Sequence, residues 1–598
     1  MGSIVAVLFR SGLANPDIIR KMLLAAPHRG ADVAVKGKGA CALGITNGPE
    51  IADSAVSADG HWVGAFTGRL DNSCDVVADL NAAGFPPTSH NSADLMIAAF
   101  QAFGPQAPSH MRGAFAAAIT DGRELWCFRD HLGLRSAFYR DDPKGVFVAS
   151  EPKQIVAGTG IIREPNLEVL EQILYGRLTQ ETPAALKGID RIPKATVLHA
   201  GPAGLTKLPP YWNPTKVFET AHLSADQIGE AFSEVFQKVM VRNLTGDDVI
   251  ALSGGIDSPA IAAYAAPLHR EIFGRPLCAL SHVYPQYPKV DERRYIELIA
   301  CFLKMNLHTC TPTAGPWDDL ERWSAIFDGP VHTLSLPEVT EFYTKARQLG
   351  FRNVFTGDVA EVVFDRNSHL LSYLLTHGRW KALAALMETM RKQGASRRAL
   401  ARSLATTFVP GRLATWYLHL RGFDRFRVPD WMDAQEINKK SFRRDLLQPG
   451  RKRWAHLQLG PFVEGAGQTL EADDVCGLLC GVSIRRPFAD IDLCEFFLSL
   501  PAELKFPDTK SKTLMRRMLR GRLPDEILDR RDKTVFNDYL LAKIDYVAAK
   551  KFLVKPSVRM PGVNYEVLAE RIERRDFKIV DYAWTNDLIR IHAFLSLW

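Results

Sequence analysis

The chain has 598 residues, 46% of them hydrophobic and 24% charged, a balance that excludes a mainly disordered, collagenous or coiled-coil protein. Its formal charge of +7 is concentrated, because residues 391–427 hold nine basic side chains against one acid, Asp424. The rest of the chain is close to neutral, which excludes the uniform basicity of a nucleic-acid binder. No apolar run approaches the ~18 residues of a membrane span. The start, MGSIVAVLFRSG, lacks the basic n-region of a secretory signal. A cytoplasmic protein with no nucleic-acid and no membrane partner is expected. Nine thinly spread cysteines make no disulfide framework, so reduced, buried thiols are expected. Cys476 with Cys480, and His308 with Cys310 far away in sequence, do not add up to a structural zinc site.

In chain order, residues 4–8, 61–66, 113–119, 125–128 and 146–149 are short apolar runs divided by Gly, Asp, Asn and Pro, and read as strands. Helical patterns such as 92–103 interrupt them, so sheets with helices packed outside are expected. A Pro/Gly-rich passage at 199–214 marks a linker. Beyond it, strands at 248–252, 277–283 and 353–356 alternate with helices at 258–266 and 291–305, which predicts a parallel α/β sheet. Residues 368–460 read as mostly helical. The chain therefore divides into residues 1–205 and 206–598, the second with a helical insertion over about 368–460. The basic stretch 391–427 falls in that insertion. It reads either as a solvated helix face or as a docking surface for an acidic partner.

The strongest chemical signal is the run from Val249 to Ser258, VIALSGGIDS, an apolar strand that enters Ser-Gly-Gly and then a helix. Gly254 and Gly255 let backbone N–H groups approach a phosphate because no Cβ intervenes. The helix start adds donors and a partial positive charge. Ser253 and Ser258 offer hydroxyls. Asp257 offers a carboxylate to Mg²⁺, which takes oxygen ligands shared with phosphate. The pattern is neither Gly-x-Gly-x-x-Gly nor a Walker A loop. The plain alternative is a glycine turn, against which Asp257-Ser258 at this offset argues.

SGGIDS resembles the pyrophosphate loop of ATP pyrophosphatases, and the wider pattern resembles the asparagine synthetase family over nearly the whole chain. In the first domain, residues 28–32 (HRGAD), 66–72 (FTGRLDN), 128–135 (FRDHLGLR) and 149–153 (ASEPK) are similar to that family's HRGPD, FNGEIYN, RDPLGIRP and SE-x-K segments. In the second, residues 483–490 (SIRRPFAD) and 498–505 (LSLPAELK) are similar to its RxPFLD and SLPxxLK. The resemblance implies an N-terminal Ntn-hydrolase-like αββα sandwich and a C-terminal ATP-pyrophosphatase domain that uses ATP and Mg²⁺. It implies that Leu252, Ser253, Gly254, Gly255, Asp257, Ser258, Val283, Thr356, Gly357 and Lys512 bind the nucleotide. Residues 354–364 (VFTGDVAEVVF) stand in the place of the family's SGEGSDE segment. Thr356-Gly357 match its Ser-Gly, Asp358 matches a glutamate that handles the amine proton, and Glu361 matches an Mg²⁺-binding aspartate. Asp257 and Glu361 are thus the implied metal ligands. Surface loop charges are the plain alternative for these acids. Lys533, in residues 530–536 (RRDKTVF), matches the lysine of R-x-K-x-x-F that steadies developing negative charge, and Lys512 matches a family lysine near the phosphates.

The departures carry functional information. The family's glutaminase nucleophile is a cysteine at position 2, where this chain has Gly2, followed by Ser3. Thr67 and Arg69 replace the glutamine-binding Asn and Glu. A thioester needs a sulfur nucleophile, so no glutamine hydrolysis is expected, with Ser3 a weak substitute. The resemblance then narrows to relatives that use an amine already in the substrate: β-lactam-forming synthetases and lasso-peptide cyclases. The former pair a tyrosine with a separate carboxylate, and residues 354–364 contain no tyrosine. The leading expectation is a lasso-peptide cyclase acting on the core of a ribosomal precursor peptide, with a leader-binding protein and a leader peptidase as partners. A diverged asparagine synthetase, a β-lactam-type synthetase and a non-catalytic scaffold are the alternatives.

Overall fold

The computed structural model describes all residues except 1, 49–52, 225, 331–334, 365–369, 406–427, 434–435, 437–449, 466, 509–510 and 531–533. The first domain is two stacked six-stranded antiparallel sheets. The strand Ile4–Phe9 pairs with Cys41–Asn47 on one side and Gly145–Ala149 on the other. Its residues are all buried because both faces are covered. Ile4, Ala6 and Leu8 meet the second sheet, and Val5, Val7 and Phe9 join the helix-facing core, as the two-residue period of a strand requires. In the second sheet, Ala65, Ala116 and Ala118 face inward, while Phe66, Phe115 and Ile119 pack on the helices Ser73–Ala82 and Ser92–Phe103. With the helices Pro16–Leu24 and Pro152–Thr159 outside the first sheet, the layering is αββα. The strand Gly204–Lys207 pairs with Val197–Gly201, so this sheet runs two residues past the boundary set at 205.

The second domain is built on five parallel strands in the spatial order Asn306–Cys310, Cys278–His282, Asp248–Ala251, Asn353–Phe355, Ser483–Arg485. Ile250 and Phe355 pack with the helices Gln227–Asn243, Asp257–Phe273 and Ile491–Ser499 on one face. Val249 and Val354 pack with Leu336–Gln348 and Gln468–Cys480 on the other. The chain steps outward from Asp248–Ala251 and then returns to its other side at Asn353–Phe355. That reversal opens a crevice at the carboxyl ends of these two strands, where open α/β sheets bind ligands.

Two strands of this sheet were not expected. Asn306–Cys310 (NLHTC) is a partly exposed edge with little apolar signal, and Ser483–Arg485 is only 3 residues long. The helix expected to end at Ala266 runs through Pro267 to Phe273, since Leu268 and His269 are buried and tertiary packing overrides the local break. In the insertion, the helices Leu370–Thr376, Trp380–Lys392, Arg397–Ala405 and Gly450–Val463 are described. The basic stretch beyond residue 405 lies outside the described residues. All nine cysteines are free, with Cys74 and Cys301 exposed rather than buried. Among the described residues no helix is long and apolar enough to cross a membrane.

The domains are locked by buried charge. Glu471, on the helix Gln468–Cys480, accepts hydrogen bonds from Arg129 and Arg191 of the first domain, and all three side chains are under 10% exposed. Lys194 Nζ donates across the same junction to the carbonyls of Pro461 (2.7 Å) and Gly465 (3.0 Å). Glu471→Gln removes the negative charge that pairs with two buried guanidiniums and should cost about 3–5 kcal/mol. The expected result is a lower urea midpoint for the transition that separates the domains; an unchanged midpoint would show that the contact carries no stability.

Candidate active site

The phosphate-type loop leaves the strand Asp248–Ala251 and enters the helix Asp257–Phe273. Ser258 Oγ accepts the Ser253 N–H at 3.0 Å, and the two hydroxyl oxygens lie 3.1 Å apart. Gly254 is required by close approach rather than by φ, since a Cβ there would lie 2.9 Å from Glu292 Cβ and 3.0 Å from Tyr295 Cβ. Its N–H donates to Glu292 Oε2 (3.0 Å), and its carbonyl accepts from Arg530 Nη1 (2.7 Å). Arg530 and Thr534 also donate to Glu292, at 2.9 and 2.6 Å. A carboxylate therefore sits on a donor of the loop, as an anion would.

The second loop follows the strand Asn353–Phe355. A Cβ on Gly357 would stand 2.9 Å from Asp257 Cβ and 3.0 Å from the Ser258 nitrogen, so only glycine lets the two loops touch. Thr356 Oγ1 donates to Asp358 Oδ2 at 2.6 Å. Val359 has φ 74°, a left-handed conformation that is a genuine outlier for a β-branched residue. This strain sits between Asp358 and the short helix Ala360–Phe364, which carries Glu361; strained backbone of this kind clusters at active sites.

These loops wall a cleft of ≈ 590 Å³ lined by Ser253, Asp257, Ser258, Thr356, Gly357, Asp358 and Glu361. Leu252, Gly254 and Gly255 flank Ser253 without lining it, and Val283 is buried beside His282, which does line it. Leu252 and Val283 bind neighbouring strands through their N–H groups, to Leu280 O (3.0 Å) and Cys310 O (2.9 Å). Lys512 is buried, with Nζ 2.7 and 2.6 Å from the two Asp257 oxygens. Lys533 lies outside the described residues. No group of three or more metal-ligating side chains is assembled among the described residues. Mg²⁺ at nucleotides needs only one or two carboxylates besides the substrate's phosphates, so Asp257 and Glu361, in one cleft, fit that need.

The far wall was not anticipated. Arg486 Nη1 and Nη2 donate to Asp474 and Asp473 at 2.5 Å each, and its Nε lies 3.5 Å from Asp358 Oδ2. Tyr343 Oη donates to Asp473 Oδ1 at 2.6 Å. Burial pushes the Asp473 carboxyl up to about 6 against the pull of Arg486. Burial also disfavours the Arg486 charge, but Asp474, Asp473 and Asp358 outweigh it and hold the guanidinium well above its usual range. Burial pushes His282 down to about 4, so it is neutral near pH 7. In the sequence, Arg486 is the variable position of the RxPFLD-like segment, and Tyr343 and Asp473 are 130 residues apart. Only Asp291-Glu292, opening a predicted helix, gave any signal for Glu292.

The place of a glutaminase nucleophile is filled. A Cβ on Gly2 would lie 1.7 Å from Thr46 O and 2.3 Å from Ser54 Oγ. Ser3 is fully buried, its hydroxyl 3.0 Å from Thr46 Oγ1 and 3.1 Å from Gln154 Nε2, which corrects the idea that it could act as a nucleophile. Thr67 Oγ1 accepts from Ser54 Oγ at 2.8 Å. Arg69 donates to both Asp71 oxygens (2.5 and 3.1 Å) and, across the domain boundary, to Ile484 O (2.9 Å).

An amidotransferase-type sandwich with a filled nucleophile position, joined to a parallel sheet with a phosphate-type loop, defines an ATP-dependent amide-forming ligase. Residues 233–590 match the family described as Asparagine synthase and residues 1–212 the Glutamine amidotransferase domain, and the chain belongs to the asparagine synthase family. It is similar to Asparagine synthetase [glutamine-hydrolyzing] 3 of Bacillus subtilis (strain 168), 24% identical over 483 residues that cover 78% of this chain and 74% of that one. It is also similar to Asparagine synthetase [glutamine-hydrolyzing] 1 of the same organism, 20% identical over 492 residues, covering 79% and 75%. Among solved structures, glutamine phosphoribosylpyrophosphate amidotransferase from B. subtilis, complexed with ADP and GMP, aligns with 60% of this chain and 81% of its own, at 13% identity and a TM-score of 0.27.

Gly2→Cys should not create a glutaminase, because the added side chain meets the Thr46 carbonyl. Assay of ammonia released from glutamine should give the blank rate; release above it would mean that the position is open.

Proposed function

We propose that this ligase is a lasso-peptide cyclase. In this reading it adenylates an Asp or Glu side chain of a leader-free core peptide and closes a macrolactam with the peptide's own N-terminal amine. What supports it is the pairing of a filled glutaminase position with a cleft lined by the Ser253–Ser258 and Thr356–Asp358 loops, so that the nitrogen does not come from glutamine and an amine of the substrate can supply it. The precursor would be delivered by a separate leader-binding protein and a leader peptidase. A diverged asparagine synthetase using free ammonia is the second reading, favoured by the extent of the similarity to asparagine synthetases.

The substrate carboxylate oxygen attacks the α-phosphorus of ATP and the bond to the bridging β-oxygen breaks, releasing pyrophosphate. The donors of the Ser253–Ser258 loop hold the departing phosphates, and Lys512 supplies a cation beside Asp257. Asp257 and Glu361 are the residues that would hold Mg²⁺, whose charge offsets that of the phosphates. The amine then loses a proton to Asp358, attacks the acyl carbon, and AMP leaves with its electron pair. Lys533 is assigned to steady the charge that develops there.

The test incubates enzyme, ATP and Mg²⁺ with a leader-free core peptide, and separately with aspartate and ammonia. The cyclase reading predicts a peptide lighter by one water, with AMP and pyrophosphate formed one for one; asparagine formation instead would overturn it. Asp257→Ala should lower both ATP–pyrophosphate exchange and cyclisation by at least 10²-fold. Retained turnover would refute the assigned cleft.

A further inference from the structure

We propose that Arg486 is a positioning residue of the amide-forming step, holding Asp358 in its working place, and that the glutaminase-like domain serves the reaction by anchoring the helix on which Arg486 is seated. The inference rests on the reading of Asp358 as the group that takes the amine proton.

Ser483–Arg485 is the edge strand next to Asn353–Phe355. Successive side chains there point to opposite sides. Arg485 turns to Asn353 Oδ1 (3.1 Å) and Asp71 Oδ1 (3.3 Å) at the domain boundary, and Arg486 turns to the cleft wall. Its guanidinium meets three carboxylates. Two of them, Asp473 and Asp474, take its Nη atoms at 2.5 Å each. Its Nε is buried without a hydrogen-bond partner and lies 3.5 Å from Asp358 Oδ2. Asp358 is held from its other side by Thr356 Oγ1 and is followed by the strained Val359. A planar fork fixed at two ends presents its third donor in one direction, so the seat of Arg486 sets where the Asp358 carboxylate rests.

That seat belongs to the helix Gln468–Cys480. Asp473 is fixed further by Tyr343. Three residues earlier than Asp474, Glu471 is clamped by Arg129 and Arg191 of the first domain. Glu471 and Asp474 are separated by less than one helical turn, about 4.5 Å along the axis, so a shift at the clamp is carried to the seat. Arg486 keeps its protons throughout; its part is to place the base. The other carboxylates lining the cleft, Asp257 and Glu361, lie with the nucleotide loops, and Lys512 pairs with Asp257.

The experiment is a double-mutant cycle on the full chain. Single-turnover amide formation is followed with excess enzyme, alongside ATP–pyrophosphate exchange. Arg486→Met should slow amide formation about 10²-fold, within the range of general-base effects, and should reduce exchange far less. On an Asp358→Asn background the same change should slow amide formation less than about twofold, because a residue acting through another has nothing left to position. Arg191→Met, which leaves Glu471 its Arg129 partner, serves as a second variant remote from the cleft. It should slow amide formation about fivefold with Asp358 present and not with Asn at that position. Equal losses on the two backgrounds for both variants would overturn the inference while leaving Asp358 as the base. Unimpaired amide formation by Asp358→Asn itself would overturn the base assignment and the inference together.

Discussion

A carboxylate taken out of water has to be met by a cation or by several hydrogen bonds, and the helix Gln468–Cys480 takes Glu471 and Asp474 into the protein and sets a third, half-buried carboxylate, Asp473, at the cleft wall. Glu471 is met by the first domain, through Arg129 and Arg191. Asp473 and Asp474 are both paired with Arg486, one residue past the edge strand of the second domain's sheet, and Asp473 also accepts from Tyr343. One helix therefore fixes how the domains meet and also forms the wall of the cleft opposite the nucleotide loops. The cleft is shaped by pairing obligations as much as by the reversal of strand order in the sheet.

The same reasoning explains why a domain without a nucleophile has kept its fold. Its two-sheet core is continuous, from Ile4 in one sheet to Ala118 in the other, and its polar edge is committed to the second domain. Arg112 pairs with Asp492, and Arg69 donates to Ile484 O. At the old reaction centre, Gly2 and Thr67 are packed against Thr46 and Ser54, which leaves no room for a thiol.

Much of this was legible in the sequence because it rests on local rules. The strand 4–8 was readable as a buried apolar run, and the Ser253–Ser258 loop was readable from its glycines and its offset from Asp257. What was not legible depends on residues brought together from afar. Glu292 seated on Gly254, Tyr343 on Asp473, and Arg486 on Asp358 carry no periodicity and no spacing signature. Leu252 and Val283 show the converse: both belong to strand ends beside the nucleotide loops, yet their side chains point into packing rather than into the cleft. The short strand Ser483–Arg485 escaped notice because 3 residues hold too little pattern, although it leads directly into the arginine on which the far wall depends.

The proposed chemistry turns on where the new amide's nitrogen comes from. The most direct measurement is a single turnover with ATP, a core peptide and ¹⁵N-amide-labelled glutamine, with ¹⁵N-ammonia in a second sample, and the product read by mass spectrometry. The predicted result is a product one water lighter than the peptide, free of ¹⁵N in both samples. Incorporation of ¹⁵N from glutamine would contradict the filled glutaminase site, and incorporation from ammonia would contradict ring closure by the substrate's own amine.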